Sequence, residues 1–161
     1  MRLLFIAQTK KENCGSGRSV ARIADEYKRR GIDFVMQTEP DDSAYRPQRG
    51  VLPLVPLGNV FDMFKNVWRA RHAARAADVV QAFDGWPYSV YAWGAVLGTR
   101  KKLFIIGVGT YTVAPLENFM KRILLRRAYR RAQKIFCMSA YTRARLLEKM
   151  RSLSKRQTVS E

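Results

Sequence analysis

Short apolar runs alternate with helical patterns along the chain, and this alternation limits the fold more than any other feature. Residues 3–7 read as a buried strand. Residues 19–30 follow with Val20, Ile23, Ala24 and Tyr27 at i, i+3, i+4 and i+7, one face of a helix that Gly31 stops. Residues 32–37 form a second strand. Residues 40–56 are rich in Pro, Asp, Arg and Gly and read mostly as loop, with a short strand possible at 51–55. A helix at 59–76 turns Phe61, Phe64 and Trp68 inward, and a strand at 78–83 ends at Asp84-Gly85. Trp86-Pro87 opens a buried helix running to Leu97 and closed by Gly98. A strand at 103–106, a helix at 116–132, a strand at 134–138 and a helix at 140–150 capped by Ser139 complete the series.

Strands apolar along their whole length belong to a parallel sheet covered on both faces. The expected fold is α/β: one Rossmann-like domain over residues 1–150, mostly parallel sheet with helices on both faces. Residues 151–161 are expected to be a polar, frayed tail. Ligands of such sheets bind beyond the carboxyl ends of the strands. Function is therefore expected in the loops after Ala7, Phe83, Ile106 and Met138.

The composition fits one such domain. Of 161 residues, 47% are hydrophobic, which excludes a disordered chain. Cys14 and Cys137 are too few for a disulfide scaffold, and the lone His72 has no companion at metal-ligand spacing, so no metal is expected. The first apolar run precedes Lys10-Lys11, the reverse of a signal peptide. The longest mostly apolar stretch, 86–98, falls short of the ~20 residues that span a bilayer. The expected location is cytoplasmic, either free or peripheral on the inner face of the membrane.

Charge is abundant and uneven. The formal net charge is +17; residues 1–115 carry 17 basic and 10 acidic side chains, and residues 116–161 carry 13 and 3. Such a field favours nucleic acid, anionic lipid or a phosphorylated small molecule.

Three loops carry candidate chemistry. Gly15, Ser16, Gly17 and Arg18 lie between the first strand and the first helix. Glycines there let backbone N–H groups approach a phosphate at a helix N-terminus, and Arg18 adds a charge. The other reading is a tight turn with solvent-facing polar residues. Asp84 either binds a sugar hydroxyl, acts as a base, or caps the helix that Pro87 begins; the cap requires nothing else. Gly107 and Gly109, ahead of Thr110 and Tyr111, permit either close backbone approach to a ligand or a bend out of the sheet.

The helix at 116–132 carries two apolar stripes. Leu116, Phe119, Met120, Ile123 and Leu124 form one; Leu125, Ala128, Tyr129 and Ala132 lie on the opposite side. A straight helix cannot bury both in one core. One is expected to be exposed and bordered by Lys121, Arg122, Arg126, Arg127, Arg130 and Arg131, as suits a membrane interface or partner surface. A bent helix with both stripes buried is the alternative.

Five motifs in this order resemble the family 4 glycosyltransferases of the GT-B fold, in their N-terminal, acceptor-side domain. They are Gly15-Ser16-Gly17-Arg18-Ser19 before a helix ending Arg29-Arg30-Gly31; Ala77-Asp78-Val79-Val80-Gln81-Ala82; Val108-Gly109-Thr110-Tyr111; Arg126-Arg127-Ala128-Tyr129-Arg130-Arg131-Ala132; and Ile135-Phe136-Cys137-Met138-Ser139-Ala140-Tyr141-Thr142-Arg143. The chain departs from the family where Val108-Gly109 replaces His-Gly and where Gln81 and Phe83 stand at positions often held by His. No two Glu are eight apart, so the paired glutamates of the family's donor-binding domain are not found.

The resemblance implies the N-terminal half of a retaining enzyme that moves a hexose from a nucleotide sugar to a lipid or glycan acceptor. It implies no metal and no cofactor, the nucleotide sugar being a co-substrate. Gly15, Ser16, Gly17 and Arg18 then border the donor diphosphate, and Asp84, Gly109, Thr110 and Tyr111 border the acceptor or the transferred sugar. The resemblance identifies no catalytic residue. The expected partners are a C-terminal donor-binding domain or subunit and an anionic membrane surface, and no specific nucleic acid. Two alternatives stand beside this: a non-catalytic membrane-tethering or partner subunit of a split transferase, and a basic nucleic-acid-binding module. The latter has the charge but no zinc finger, RNP-type aromatics or recognition helix.

Overall fold

The computed structural model describes residues 1–8, 15–40 and 52–150, and the backbone of 158–160. Asn13 and Cys14, Val51 of the strand anticipated at 51–55, and residues 151–157 and 161 of the tail lie outside the described residues; 52–58 run without regular structure.

The elements alternate as the apolar runs require: β1 (Arg2–Ile6), α1 (Gly15–Arg29), β2 (Asp33–Gln37), α2 (Val60–Ala74), β3 (Val79–Phe83), α3 (Tyr88–Val96), β4 (Lys102–Gly107), α4 (Thr110–Val113), a 3-10 turn (Ala114–Glu117), α5 (Phe119–Arg131), β5 (Lys134–Cys137), α6 (Ala140–Lys149) and β6 (Thr158–Ser160). The strands form one parallel sheet in the order β2-β1-β3-β4-β5-β6. Within the tail, Thr158–Ser160 pairs alongside β5. From β1 the chain steps one way to β2, then crosses back over β1 to β3 and continues outward. The order reverses between β1 and β3, so the connections leaving these two strands diverge and open a crevice.

The two faces of the sheet are covered unequally. Leu4, Ile6, Val80, Leu103, Ile105 and Ile135 point into the larger core, shared with α2, α3, α5 and α6. Phe5, Ala7, Met36 and Phe83 point the other way, onto Val20 and Ala24 of α1. The centre of the larger core is α3, with eight of its nine residues buried, as its apolar sequence requires.

The inward face of α2 differs from the sequence reading. Phe61, Phe64 and Trp68 are 71%, 62% and 59% exposed. The helix instead buries Asn66, Ala70 and Ala74, with Met63 and Val67 partly covered. The reason is close packing on α3: a Cβ on Gly94 would stand 2.5 Å from Val67 Cγ1, so the contact admits only small partners. Asn66 is buried because it is satisfied, accepting the Val55 N–H at 2.7 Å and donating to the Val55 carbonyl at 2.8 Å. An Asn59–Asp62 capping box starts the helix.

The helix expected at 116–132 is two pieces. Asn118 leaves helical geometry at ψ 127° and its side chain accepts the Lys121 N–H, so α5 starts afresh after the 3-10 turn. Leu125, Ala128 and Tyr129 fill the core, and Ala132 follows them. Leu116 is buried from the 3-10 turn, Ile123 and Leu124 are half-buried, and Phe119 and Met120 are 63% and 66% exposed. The break lets Leu116 join the core, Leu124 packs against its edge, and Phe119 and Met120 turn away. Among the described residues no helix is long and apolar enough to cross a membrane.

Candidate functional site

Three connections meet at the crevice. The residue after β1, the first turn of α1, the β3–α3 turn and the β4–α4 turn enclose a cavity of about 370 Å³ lined by Gln8, Gly15, Ser16, Asp84, Val108, Thr110 and Tyr111. Five sequence-predicted residues line it: Gly15, Ser16, Asp84, Thr110 and Tyr111. Gly109 lies between two lining residues, at φ +133°, a backbone conformation that favours glycine. Gly17 is buried inside α1 and Arg18 is exposed on it; neither lines the cavity. The helix expected to begin at Ser19 begins at Gly15, so these four residues are its first turn rather than a loop before it. Ser19 supports that turn by donating its hydroxyl to the Gly15 carbonyl at 3.1 Å.

Asp84 ends β3 at φ +77°, a left-handed conformation that a short polar residue tolerates. Its Oδ1 accepts the Gly85 N–H at 2.7 Å and the Thr112 hydroxyl at 2.8 Å. It does not cap α3: Pro87 holds the N-cap position and no side chain caps that helix. The cap reading fails because Oδ1 is engaged by Gly85 and by Thr112 of α4 instead. Burial pushes the Asp84 carboxyl above the ordinary carboxylate range, opposed by hydrogen bonds from Thr112 and the Gly85 and Val108 amides. The Asp84 N–H donates to the Ile106 carbonyl at 2.7 Å, and the Ser89 hydroxyl donates to the Asp84 carbonyl at 2.7 Å, so the backbone is held at both groups.

Behind Asp84 is a brace that the sequence did not reveal. The Trp86 N–H donates to the Tyr111 carbonyl at 3.0 Å, and the buried Tyr129 hydroxyl donates to the Thr112 carbonyl at 2.7 Å. A Cβ on Gly85 would collide with the Tyr129 hydroxyl and stand 2.5 Å from the Tyr111 carbonyl oxygen and 2.7 Å from Thr112 Cα. Burial holds the Tyr129 phenol well above its ordinary pKa, so it stays protonated as a donor. Nothing in the local sequence marks Thr112 or Tyr129 for this role. Gly85 was read only as the stop after a strand.

A helix start, a half-buried carboxylate, two side-chain hydroxyls at Ser16 and Thr110, and an exposed tyrosine thus surround one polar opening. Such a set can take an anion at the helix start and hydroxyl groups at the carboxylate. No group of three or more metal-ligating side chains occurs among the described residues. The residues read as a membrane or partner surface lie elsewhere, along α5, with Phe119, Met120, Arg127 and Arg130 exposed and Lys121, Arg122, Ile123, Leu124, Arg126 and Arg131 half-buried. Of these, Arg131 donates from its guanidinium to the Thr99 and Lys101 carbonyls at 3.1 and 2.9 Å, and Arg126 to the Lys149 carbonyl at 3.3 Å.

A family model described as "Glycosyl transferase 4-like domain" matches residues 14–159. Among solved structures, the lipopolysaccharide outer core galactosyltransferase WaaB in its apo form superposes with a TM-score of 0.64 at 12% identity, over 99% of this chain and 45% of that one. UDP-GlcNAc 2-epimerase from Methanocaldococcus jannaschii gives 0.69 at 12% identity, over 99% and 45%. An alpha-glucosyltransferase in complex with UDP and a mismatched DNA gives 0.55 at 14% identity, over 87% and 37%. At these identities the likeness is one of fold. The chain spans less than half the length of each of these three proteins. No curated protein sequence matches it.

Proposed function

Since the chain belongs to the glycosyl transferase 4-like domain family, we propose that it is the acceptor-side half of a retaining glycosyltransferase. The reaction moves a hexose from a nucleotide sugar to a lipid or glycan acceptor. The observation that carries this reading is the convergence of α1's first turn with Asp84, Thr110 and Tyr111 on one cavity at the point where the strand order reverses.

The roles follow from the chemistry of each group. The N–H groups at the start of α1 and the positive end of its dipole favour the donor diphosphate, with Gly15, Ser16, Gly17 and the Arg18 guanidinium on that side. Asp84 accepts hydrogen bonds from hydroxyls of the acceptor or the transferred sugar, beside Gly109, Thr110 and Tyr111. Its half-buried, braced carboxylate keeps one orientation, as positioning a hydroxyl requires. The nucleotide sugar is a co-substrate, and neither a metal nor a cofactor is proposed.

The second wall of the cleft comes from a donor-binding domain or subunit. The length of the structural relatives, more than twice that of this chain, supports this. The enzyme works in the cytoplasm, on the inner face of the membrane, which the cationic border of α5 approaches. Specific nucleic-acid binding is not proposed.

The test is transfer by the two-domain protein. Incubation with radiolabelled UDP-glucose and UDP-galactose and with total lipid and glycan extracts should label a product, and Asp84→Ala should reduce the labelling at least tenfold. Hydrolysis or epimerisation of the nucleotide sugar with no transfer to any acceptor would remove the transferase reading.

A further inference from the structure

Beside the polar cavity is a second hollow, of about 500 Å³, between the start of α2 and the start of α5. That size is typical of small-molecule sites. Its walls include Leu57, Val60, Met63, Trp86, Met120 and Leu124. Among the described residues its lining contains no carboxylate and one cation, Lys121, whose Nζ lies 5.3 Å from the centre of the Trp86 ring. Asp62, close by on α2, is turned to the helix start, where Oδ2 accepts the Gly58 and Asn59 N–H groups at 3.2 and 3.1 Å.

Two residues of sequence join the hollows. Asp84 lines the polar one and Trp86 the apolar one, and the Trp86 N–H is bonded to the carbonyl of Tyr111, which lines the polar one. Further apolar side chains of the same two helices are exposed. Val60, Phe61 and Phe64 of α2 and Phe119 and Met120 of α5 are exposed, and the Arg122 guanidinium lies 5.6 Å over the Phe119 ring. Exposed apolar side chains and cations on the helices that line the hollow fit a surface that both touches a bilayer and admits one of its lipids.

We propose that this hollow binds the hydrocarbon chain of a membrane lipid whose phosphate head lies against Lys121, with the head directed to the cavity at Asp84. The charge selects the occupant: one anionic head on one apolar chain matches Lys121 set among the apolar walls, with no carboxylate among the described lining residues. The identity of this lipid as the acceptor rests on the transferase reading; its binding does not.

Farnesyl phosphate, below its micellar concentration, is the probe, titrated calorimetrically into the full-length protein. It should bind, with farnesol at least tenfold weaker and inorganic phosphate not competing. Lys121→Glu should weaken binding at least tenfold, and Met63→Trp, which fills the hollow, should abolish it, with circular dichroism as the folding control. Lys102→Glu, at the opposite end of the sheet, should bind as the wild type does. Absence of binding, or wild-type affinity in both Lys121→Glu and Met63→Trp, overturns the proposal. So does self-association through this face in sedimentation, abolished by Met63→Trp while farnesyl phosphate is ignored. Farnesyl phosphate binding without sugar transfer supports the lipid site and removes the transferase reading. Sugar transfer to a glycan without farnesyl phosphate binding does the opposite.

Discussion

The Thr112 hydroxyl donates to Asp84 Oδ1 at 2.8 Å and accepts the Val108 N–H at 3.1 Å, so one oxygen ties the end of β3 to the turn that follows β4. Both partners border the polar cavity. Replacing Thr112 with Val keeps the shape but removes the hydroxyl's bonds to Asp84 Oδ1 and to the Val108 N–H, whose remaining partner is the Asp84 carboxylate. The expected loss is about 1–3 kcal/mol of stability, read as a lower urea midpoint at unchanged slope. Thr112→Ser, which keeps the hydroxyl, should recover most of it. A loss in Thr112→Ser with none in Thr112→Val would point to methyl packing instead.

Gly85 is the tightest position near the site. A side chain there meets the Tyr129 hydroxyl and two backbone groups, none of which can rotate away. Gly85→Ala is therefore expected to destabilise by about 1–3 kcal/mol or more. Tyr129→Phe removes the obstructing hydroxyl together with its bond to the Thr112 carbonyl. Adding it to Gly85→Ala should lower stability by less than the two single losses combined, because the second change relieves part of the first. Strict additivity in the double-mutant cycle would show that Tyr129 is not the obstacle.

Asp84 gives a pH dependence whose sign is fixed. Burial raises its folded pKa, so ionisation opposes folding. Below the ordinary carboxylate pKa, about 4, the group is protonated in both states and the favourable contribution is complete. It is lost as pH rises through the elevated folded value. Asp84→Asn keeps an acceptor for Gly85 and Thr112 and carries no charge. The variant's Tm should gain on the wild type as pH rises from about 4 toward neutrality. A difference in Tm that does not change over that range would show that Asp84 ionises without penalty.

The proposed membrane surface has a simpler test. A basic residue near an anionic bilayer contributes about 1 kcal/mol, and salt screens it. Sedimentation with phosphatidylglycerol vesicles should carry the protein down, and phosphatidylcholine vesicles should not. Arg127→Glu with Arg130→Glu should weaken the association about tenfold or more. Equal association with both lipids excludes an electrostatic surface.

The fold was legible because its information is local. Runs such as Leu103-Phe104-Ile105-Ile106 and Ile135-Phe136 announce strands whatever surrounds them, and Ser139 caps α6 as its position suggests. Facing was less legible. Phe61, Phe64 and Trp68 are spaced to make a helix face, but the sequence could not show that Gly94 of α3 accepts only a close, small-residue contact. The site was half legible for the same reason. Glycines and an aspartate at strand ends can be read off the chain, whereas the Tyr129–Thr112–Asp84 brace joins residues up to 45 positions apart through contacts that exist only in the folded core.

The start of α1 provides the last prediction. Gly17 is the position where glycine was expected to matter for phosphate approach, yet it is buried in the helix, so a larger residue there acts on packing as well as on binding. Gly15 is the cleaner probe. It lines the cavity and a Cβ added to it meets nothing within 4 Å, so Gly15→Ala leaves the fold alone while placing a methyl group where a diphosphate would approach the helix start. Arg18 is exposed, and Arg18→Ala removes one charge with little effect on folding. In the two-domain enzyme each change should lower kcat/KM for the nucleotide sugar about ten- to a hundredfold, equivalent to roughly 1.5–3 kcal/mol for one charge-assisted contact. Gly17→Val should add a fall in Tm that the other two lack. Wild-type kcat/KM in Gly15→Ala and Arg18→Ala, with circular dichroism unchanged, would make this end of α1 an ordinary helix start and leave the donor held by other residues.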